Sequence, residues 1–466
     1  MTMRGDDPAP TALPRTMKRR LAGWGNFPVE ECEVFRPEHA QELGEIVRRA
    51  PQQSLIARGL GRSYGDAALN EGAGVIQSDR FDRMLSFDPE TGILGCEAAV
   101  SLAEILDHLL PRGFFFPVTP GTKFITVGGA IAADVHGKNH HKSGSMSNFV
   151  LDFRLLTASG EVLDCSREQN PDVFWATIGG MGLTGIVLDA RLRLLAVESA
   201  FMNVEYERLG DLDALLSRLR DSDEDYDYGV SWIDCLAAGR SLGRSVLLRA
   251  NHAAAGELPP RMRAAPLEAP TGWRLAVPFR LPDFTLNPLT VRAFNMGYYH
   301  THPTGRFVAS CDRYFYPLDR VHHWNRAYGR RGVLQYQALL PPETSRDGLV
   351  AMLEALSASR QASFLAVLKA CGPASRGLLS FPRRGHTLAL DLPNTGNAVR
   401  ELLTRLDRIV LRCGGAVYLA KDCCLAPEAF SEMYPNLDAF REIKAKIDPL
   451  QRFSSSQARR LRILDG

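Results

Sequence analysis

The chain has 466 residues, 45% of them hydrophobic and 23% charged, with a formal net charge of +2. This is the composition of an ordinary globular protein and the length of two or three domains, and it supplies none of the basic surface that nucleic-acid binding calls for. Nine cysteines, an odd number with no C-x-x-C spacing, argue against a disulfide framework or a zinc ribbon and for reduced thiols in the cytoplasm.

Residues 1–27 are rich in Pro and Arg and lack an apolar stretch, so they read as a flexible tail, not a signal peptide. Lys18–Arg20 is either a solvated cluster or a contact for anionic lipid. No run of about 18 apolar residues marks a membrane span. From Glu31 strand and helix patterns alternate. A helix is predicted from Pro37 through Val47 and a short buried strand over Ser54–Arg58. That strand runs into Gly59-Leu60-Gly61-Arg62-Ser63-Tyr64-Gly65-Asp66, which is either a tight turn or a loop offering backbone N–H groups to a phosphate. Strands are predicted at 75–77 and 93–96 and a helix at 102–110; Thr119-Pro120-Gly121-Thr122 forms a sharp turn. Next comes Val127–His141, where small residues (Gly128, Gly129, Ala130, Ala132) let the backbone approach something large and flat before a cluster of His136, Lys138, His140 and His141. Further strands are predicted at 152–156 and 161–163. Gly180–Gly185 matches G-x-G-x-x-G, but Ile186–Leu194 alternates at period two and reads as a strand, so a nicotinamide-binding Rossmann site is rejected.

After about residue 200 the pattern changes. A helix is predicted over 212–219. Residues 251–293 carry seven prolines together with Trp273, Leu275, Phe279 and Phe284, which reads as either a mobile lid or an irregular excursion packed on the body. Over 332–420 the expected order is strand 333–339, helix 349–356, strands 364–368 and 387–392, helix 399–410 and strand 416–419, a ferredoxin-like arrangement. No internal sequence repeat is evident.

Three histidines within six positions invite a metal reading, but Gly137 and Asn139 weaken a helix there and no acidic or cysteine ligand follows; no metal is expected. There is no G-x-S-x-G elbow, and Gly59–Gly65 lacks the Gly-Lys-Ser/Thr ending of a P-loop. What remains is a set of glycine-rich loops, Arg62, a Thr-Pro-Gly turn, the His/Lys cluster and Lys421. Backbone donors for a pyrophosphate, small residues against a ring and a cation near ring atoms that become anionic on reduction suit a flavin.

On the stretches Gly59–Asp66, Thr119–Thr122, Val127–His141, Phe174–Gly185, Trp324–Gly329, Leu334–Gln337, Leu379–Pro382 and Ala420–Asp422, the chain resembles the vanillyl-alcohol-oxidase class of FAD enzymes. Within it, the chain is similar to the decaprenylphosphoryl-β-D-ribose 2′-oxidases over about Trp24 to Ile463. The resemblance implies an α+β, two-domain flavoprotein: an FAD-binding domain over 28–197, a ferredoxin-like substrate domain over 198–415 with the 251–293 lid, and a segment 416–466 returning to the FAD domain. It implies FAD held by Arg58, Gly59, Leu60, Gly61, Arg62, Ser63, Tyr64, Thr119, Pro120, Gly121, Thr122, Gly128, Gly129 and Ala132. His136, Asn139, Gly144, Ser145, Gly182, Gly185, Ile186, Tyr418 and Lys421 complete that set. Substrate would meet Lys138, Gln335, Gln337, Lys369, Thr387 and Ala389. Relatives that tether FAD through the first loop use a histidine there; Arg62-Ser63-Tyr64 implies FAD bound without a covalent link. The family's mycobacterial members carry a cysteine where this chain has Ala389, and oxidation does not need that thiol.

The implied reaction moves the sugar C2′ hydrogen as hydride to the flavin while Tyr64, His136 or Lys421 takes the hydroxyl proton; Lys421 also fits as a positive charge near the reduced ring. Implied partners are a lipid-linked sugar phosphate, a quinone or O2 as electron acceptor, and an NADH-dependent short-chain reductase that completes epimerisation to arabinose. The implied location is cytoplasmic, with peripheral contact at the inner membrane. The alternative is a sugar or alditol oxidase of the same fold acting on a soluble substrate.

Overall fold

The computed structural model describes residues 16–221, 224–269, 275–361 and 363–465. Residues 1–15 of the expected tail, and Pro270 and Trp273 of the expected lid, lie outside them. The remainder of the expected tail is not a tail. Met17–Ala22 is a strand paired antiparallel with Val29–Phe35, with Lys18 opposite Glu33 and Arg20 opposite Glu31. The basic run lacks apolar alternation, so its pattern does not signal a strand; an acidic partner strand holds it, each opposite-charge pair contributing ~0.2–1 kcal/mol.

This pair belongs to a four-stranded sheet ordered Met17–Ala22, Val29–Phe35, Gly74–Gln77, Leu55–Arg58. Beside it stands a five-stranded sheet, Met84–Asp88, Ile93–Glu97, Ile186–Arg193, Val150–Leu156, Val162–Ser166. A strand thus follows Gly180–Gly185, as the period-two alternation requires. Short helix Val127–Ala132 packs on the strand Ile186–Arg193 and is capped by Thr126, whose hydroxyl accepts from the Gly129 N–H at 3.1 Å.

The second half is one eight-stranded antiparallel sheet. Its strands are β1 (Phe201–Leu209), β2 (Tyr228–Ile233), β3 (Ser245–His252), β4 (Gly305–Ser310), β5 (Val333–Leu340), β6 (Ala366–Cys371), β7 (Gly385–Pro393) and β8 (Ala416–Val417). Their spatial order is β4-β1-β3-β2-β6-β7-β5-β8. The expected ferredoxin-like unit is the β5–β8 half. The β1–β4 half repeats its order in mirror sequence, so the sheet is two such units joined edge to edge through β2 and β6. Neither unit's side chains betray the repeat, because packing asks only for apolar residues on a period of two.

Helices α1 (Leu212–Asp221), α3 (Pro342–Ser359) and α4 (Asn397–Arg412) cover one face. Arg218 of α1 meets Glu207 of β1 at 2.8 Å, and Tyr336 of β5 donates to Asp407 of α4 at 2.9 Å. The fourth helix, α2 (Pro288–Thr301), lies on the opposite face, its Tyr298 ring 4.6 Å from Trp232 of β2. It starts where the sequence reads as helix-breaking: Asn287 caps it, accepting from Leu289 and Thr290 N–H groups, and Pro288 takes the first position, where its missing N–H costs nothing.

The 251–293 segment is therefore part strand, part helix and part strap. Leu275–Ala276 pairs parallel with Val321–His322, and Leu281 N donates to Arg326 O at 3.0 Å. Outward it exposes Leu275, Phe279, Phe284 and Leu289, with Phe279 64% and Phe284 78% accessible.

After β8 the chain runs back to the first sheets. Tyr64 N donates to Ala420 O at 3.1 Å, and Leu55 N to Arg452 O at 2.8 Å. Arg460 bridges Asp66 and Asp422, each at 2.8 Å. Residues 416–417, expected in the returning segment, stay in the substrate-side sheet; the return begins at Tyr418.

Candidate active site

A cavity of about 640 Å³ lies between the two halves, and four loops form its floor. The first is Gly59–Tyr64. Gly61 has φ +64°, and a Cβ on Gly59 would sit 2.5 Å from Thr126 Oγ1, so both glycines are demanded by geometry. Arg58 does not reach the cavity. Its guanidinium folds beneath the loop and donates to Ala22 O at 2.6 Å and Ala68 O at 3.1 Å. Arg62 does line it, stacked 4.1 Å over the ring of Trp24. The second loop is Thr119–Thr122, fixed by a 2.6 Å hydrogen bond between the hydroxyls of Thr119 and Tyr316; a Cβ on Gly121 would meet nothing within 4 Å. The third is the helix Val127–Ala132, which presents Gly128, Gly129 and Ala132. Its first N–H groups are already bonded to Val100 O, Ala98 O and Thr126, so it offers small side chains instead of free donors. The fourth loop contributes Gly182, Gly185 and Ile186.

Three other expected cofactor contacts stand behind the wall. Asn139 donates to Pro117 O at 2.7 Å, Gly144 closes a turn with φ +70°, and Ser145 pairs with His136 as an isolated bridge. They hold the turn that aims His136. The metal reading gains nothing: His140 is bonded on both ring nitrogens, to Ser145 Oγ and the Gly372 N–H, and no metal-ligating cluster occurs among the described residues.

The roof comes from alternate residues of the eight-stranded sheet: Gln335 and Gln337 of β5, Lys369 of β6, Ala389 and Asp391 of β7. Their register is tight, Gln335 facing Asp391 and Gln337 facing Ala389. Thr387, expected at the substrate, is buried and instead accepts from Gln337 Nε2 at 3.1 Å. Tyr418 and Lys421 close the far end. The Tyr418 hydroxyl donates to Ala133 O at 2.8 Å, and Lys421 Nζ stands 4.4 Å over the ring of Tyr64.

Asp391 was not foreseen. It is buried, accepts from Gln335 Nε2 and faces Lys421. A signal existed: a lone carboxylate in the otherwise apolar Leu388-Ala389-Leu390-Asp391-Leu392 needs a reason to be there. Burial raises its pKa while Gln335 and Lys421 pull it down; burial lowers that of Lys421 and Asp391 opposes this. Burial also pushes Tyr64 well above the usual phenol range, with Asp391 adding to it. His136 falls well below the usual imidazole range through burial and the neighbouring charges of Lys369, His140 and Lys421. Gln337 Nε2 lies 2.9 Å from His136 Nε2; with that amide also donating to Thr387, Nε2 is assigned as acceptor and the proton to Nδ1. Lys138 is pushed down to about 7 by burial and by Lys369. Among the described residues no carboxylate offsets either lysine.

Three buried atoms of this wall, His136 Nδ1, Gln335 Oε1 and Asp391 Oδ2, have no hydrogen-bond partner among the described residues. Buried polar groups are nearly always paired, so this surface is built for a bound polar group. A flat, polar-edged cofactor over small residues fits it.

Comparison with known proteins agrees. A family model described as FAD binding domain matches residues 33–166, and one described as D-arabinono-1,4-lactone oxidase matches 393–461. The decaprenylphosphoryl-beta-D-ribose oxidase of Mycolicibacterium smegmatis is 37% identical over 460 residues, covering 97% of this chain and 99% of that one. The chain belongs to the decaprenylphosphoryl-β-D-ribose oxidase family. It is an FAD-dependent oxidoreductase of the α+β, two-domain type. An uncharacterized protein from the mprA 5′ region of Streptomyces coelicolor is 38% identical over 370 residues, 78% of this chain and all of that one. The bovine L-gulonolactone oxidase is 29% identical over 190 residues, 40% of this chain. No described helix is long and apolar enough to cross a membrane.

Proposed function

We propose that this chain oxidises the 2′-hydroxyl of a polyprenyl-phosphoryl-β-D-ribose to the 2′-ketone, the first half of an epimerisation to the arabinose form. The observation that carries the reading is near-full-length similarity to the decaprenylphosphoryl-beta-D-ribose oxidase of Mycolicibacterium smegmatis. It is supported by Lys138 and Lys369, two half-buried lysines side by side in the cavity that no carboxylate offsets among the described residues, which is how a site for an anionic phosphate is built.

The floor loops Gly59–Tyr64, Thr119–Thr122, Gly128–Ala132 and Gly182–Ile186 hold FAD, with no histidine in 59–66 to tether it. Bound FAD supplies the acceptor for the hydride leaving C2′. Every other part belongs to side chains. Tyr64, neutral at working pH, positions the sugar hydroxyl through its phenol. The Lys421–Asp391 pair receives the hydroxyl proton: burial makes the lysine a base near neutral pH, and the carboxylate stabilises the ammonium that forms. His136 is held neutral by burial and by the neighbouring charges, its Nε2 accepts from Gln337, and it is not the base. Gln335 and Gln337 fix Asp391 and His136 in place.

An electron acceptor, quinone or O2, regenerates the cofactor, and a separate NADH-dependent reductase completes the epimerisation. The exposed Leu275, Phe279, Phe284 and Leu289 beside Arg280 and Arg292 suit peripheral contact with an anionic membrane, where a lipid-linked substrate resides. The test is anaerobic stopped-flow: a polyprenyl-phosphoryl ribose bleaches the flavin band and free ribose does not. Bleaching by free sugars or alditols alone makes the chain a soluble-sugar oxidase.

A further inference from the structure

The cavity does not end at the lysines. Continuing the antiparallel register of β2 and β6, in which Ser231 faces Leu368 and Trp232 faces Val367, puts Lys369 opposite Val230. Val230 in turn faces Leu248 of β3, and Leu248 faces Tyr206 of β1. Residues two apart on a strand share a face, so Val230 and Trp232 point the same way as Val367 and Lys369, and all of them line the cavity. The second lysine reaches the same place from below: the Gly229 N–H donates to Lys138 O at 2.8 Å, and Lys138 Nζ lies 4.2 Å from the Tyr314 ring, whose hydroxyl donates to Leu248 O. The wall therefore changes character at one line. On the flavin side it is Gln335, Gln337, Asp391 and Lys421; beyond the two lysines it is mostly aliphatic and aromatic, with His302 and Arg313 beside Tyr206 at its far end, and runs three strands wide, about 10 Å at ~4.8 Å per strand spacing.

That strip is roofed by α2. Tyr298 covers Trp232, and His302 lies 5.2 Å from the ring of Tyr206. Tyr298 also stacks at 5.9 Å on Phe294, which sits on the flank of α2 and is 47% exposed. An apolar path thus leads from the two lysines to the surface.

We propose that the strip Val230–Leu248–Tyr206, roofed by Tyr298, is the subsite for the first isoprene units of the substrate's lipid, which leaves the phosphate at Lys138 and Lys369 and runs out beneath α2. This rests on the polyprenyl-phosphate reading above. It explains why a helix that would complete the outer layer of the first ferredoxin-like unit lies on the inner face, and why aromatic rings line a site whose sugar needs polar partners.

The test separates chain from sugar. Binding of methyl phosphate and of farnesyl phosphate to the FAD-loaded protein is measured by calorimetry. The wild type binds farnesyl phosphate tighter by about 100-fold or more, since each buried methylene adds ~0.8 kcal/mol. Val230→Phe, filling the strip, cuts that advantage by at least about tenfold. Leu248→Phe does the same from the neighbouring strand should the first variant fail to fold. Lys138→Met weakens both ligands alike and leaves the ratio standing. Equal binding of the two phosphates by the wild type, or a chain advantage that survives both filled variants, overturns the subsite. Failure of the oxidase reading shows elsewhere, as an unbleached flavin with farnesyl-phosphoryl ribose in the wild type.

Discussion

Lys138 offers the sharpest test of the phosphate site. Its pKa of about 7, against an ordinary 10.5, marks a cation held where charge is disfavoured, by burial first and by Lys369 second. The gap is about 5 kcal/mol at 1.36 kcal/mol per pKa step. Because the side chain keeps some surface in the water-accessible cavity, solvent screens part of that, and a bound anion recovers about 2–3 kcal/mol. The charged form binds phosphate, so affinity is full below pH 7 and falls as pH rises. The dissociation constant of a phosphoryl-ribose substrate, measured anaerobically from pH 6 to 9, should be level below about 7 and weaken by up to ~10-fold per pH step above it. In Lys138→Met the break near 7 disappears, and binding at pH 6 is weaker by about 30- to 150-fold. Free ribose should show no such break in either protein. A variant that keeps the break, or a wild type level from 6 to 9, refutes the placement of the phosphate.

Asp391→Asn removes the carboxylate that supports the charge of Lys421, so the lysine loses its proton at lower pH; the kcat profile should move toward acid and its maximum drop about 100-fold, with the FAD spectrum unchanged. Gly121→Val adds a side chain into open space, leaves the melting temperature as it was and weakens FAD retention on gel filtration by about tenfold, whereas Gly59→Val strikes Thr126 and lowers the melting temperature itself. Arg460→Met strands Asp66 and Asp422 in a largely buried site and should cost about 3–5 kcal/mol in urea unfolding.

Local rules carry a long way in this chain. The apolar Leu55-Ile56-Ala57 ahead of Gly59 announces a strand feeding a loop; alternation after Gly185 announces another strand and excludes the dinucleotide fold; spacing at 399–410 announces α4. Each depends on residues near in sequence. Where such reading falls short, a distant partner decides. Lys18–Arg20 becomes a strand only because Glu31 and Glu33 lie beside it. The prolines of 275–286 form a strap only because 321–326 receives them.

The sequence by itself determined the glycine-rich loops proposed to hold FAD, because backbone geometry and close approach restrict those positions to glycine and other small residues whatever lies elsewhere. It also determined the ferredoxin-like half at 333–417 through its periods of two and 3.6. Only the tertiary structure decided the chemistry. Asp391, Lys421 and Tyr64 come from a sheet strand, a returning terminal segment and the first loop, 30 to 357 positions apart along the chain. Their charges are set by burial and by one another, and neither quantity exists until the two halves close over a common cavity.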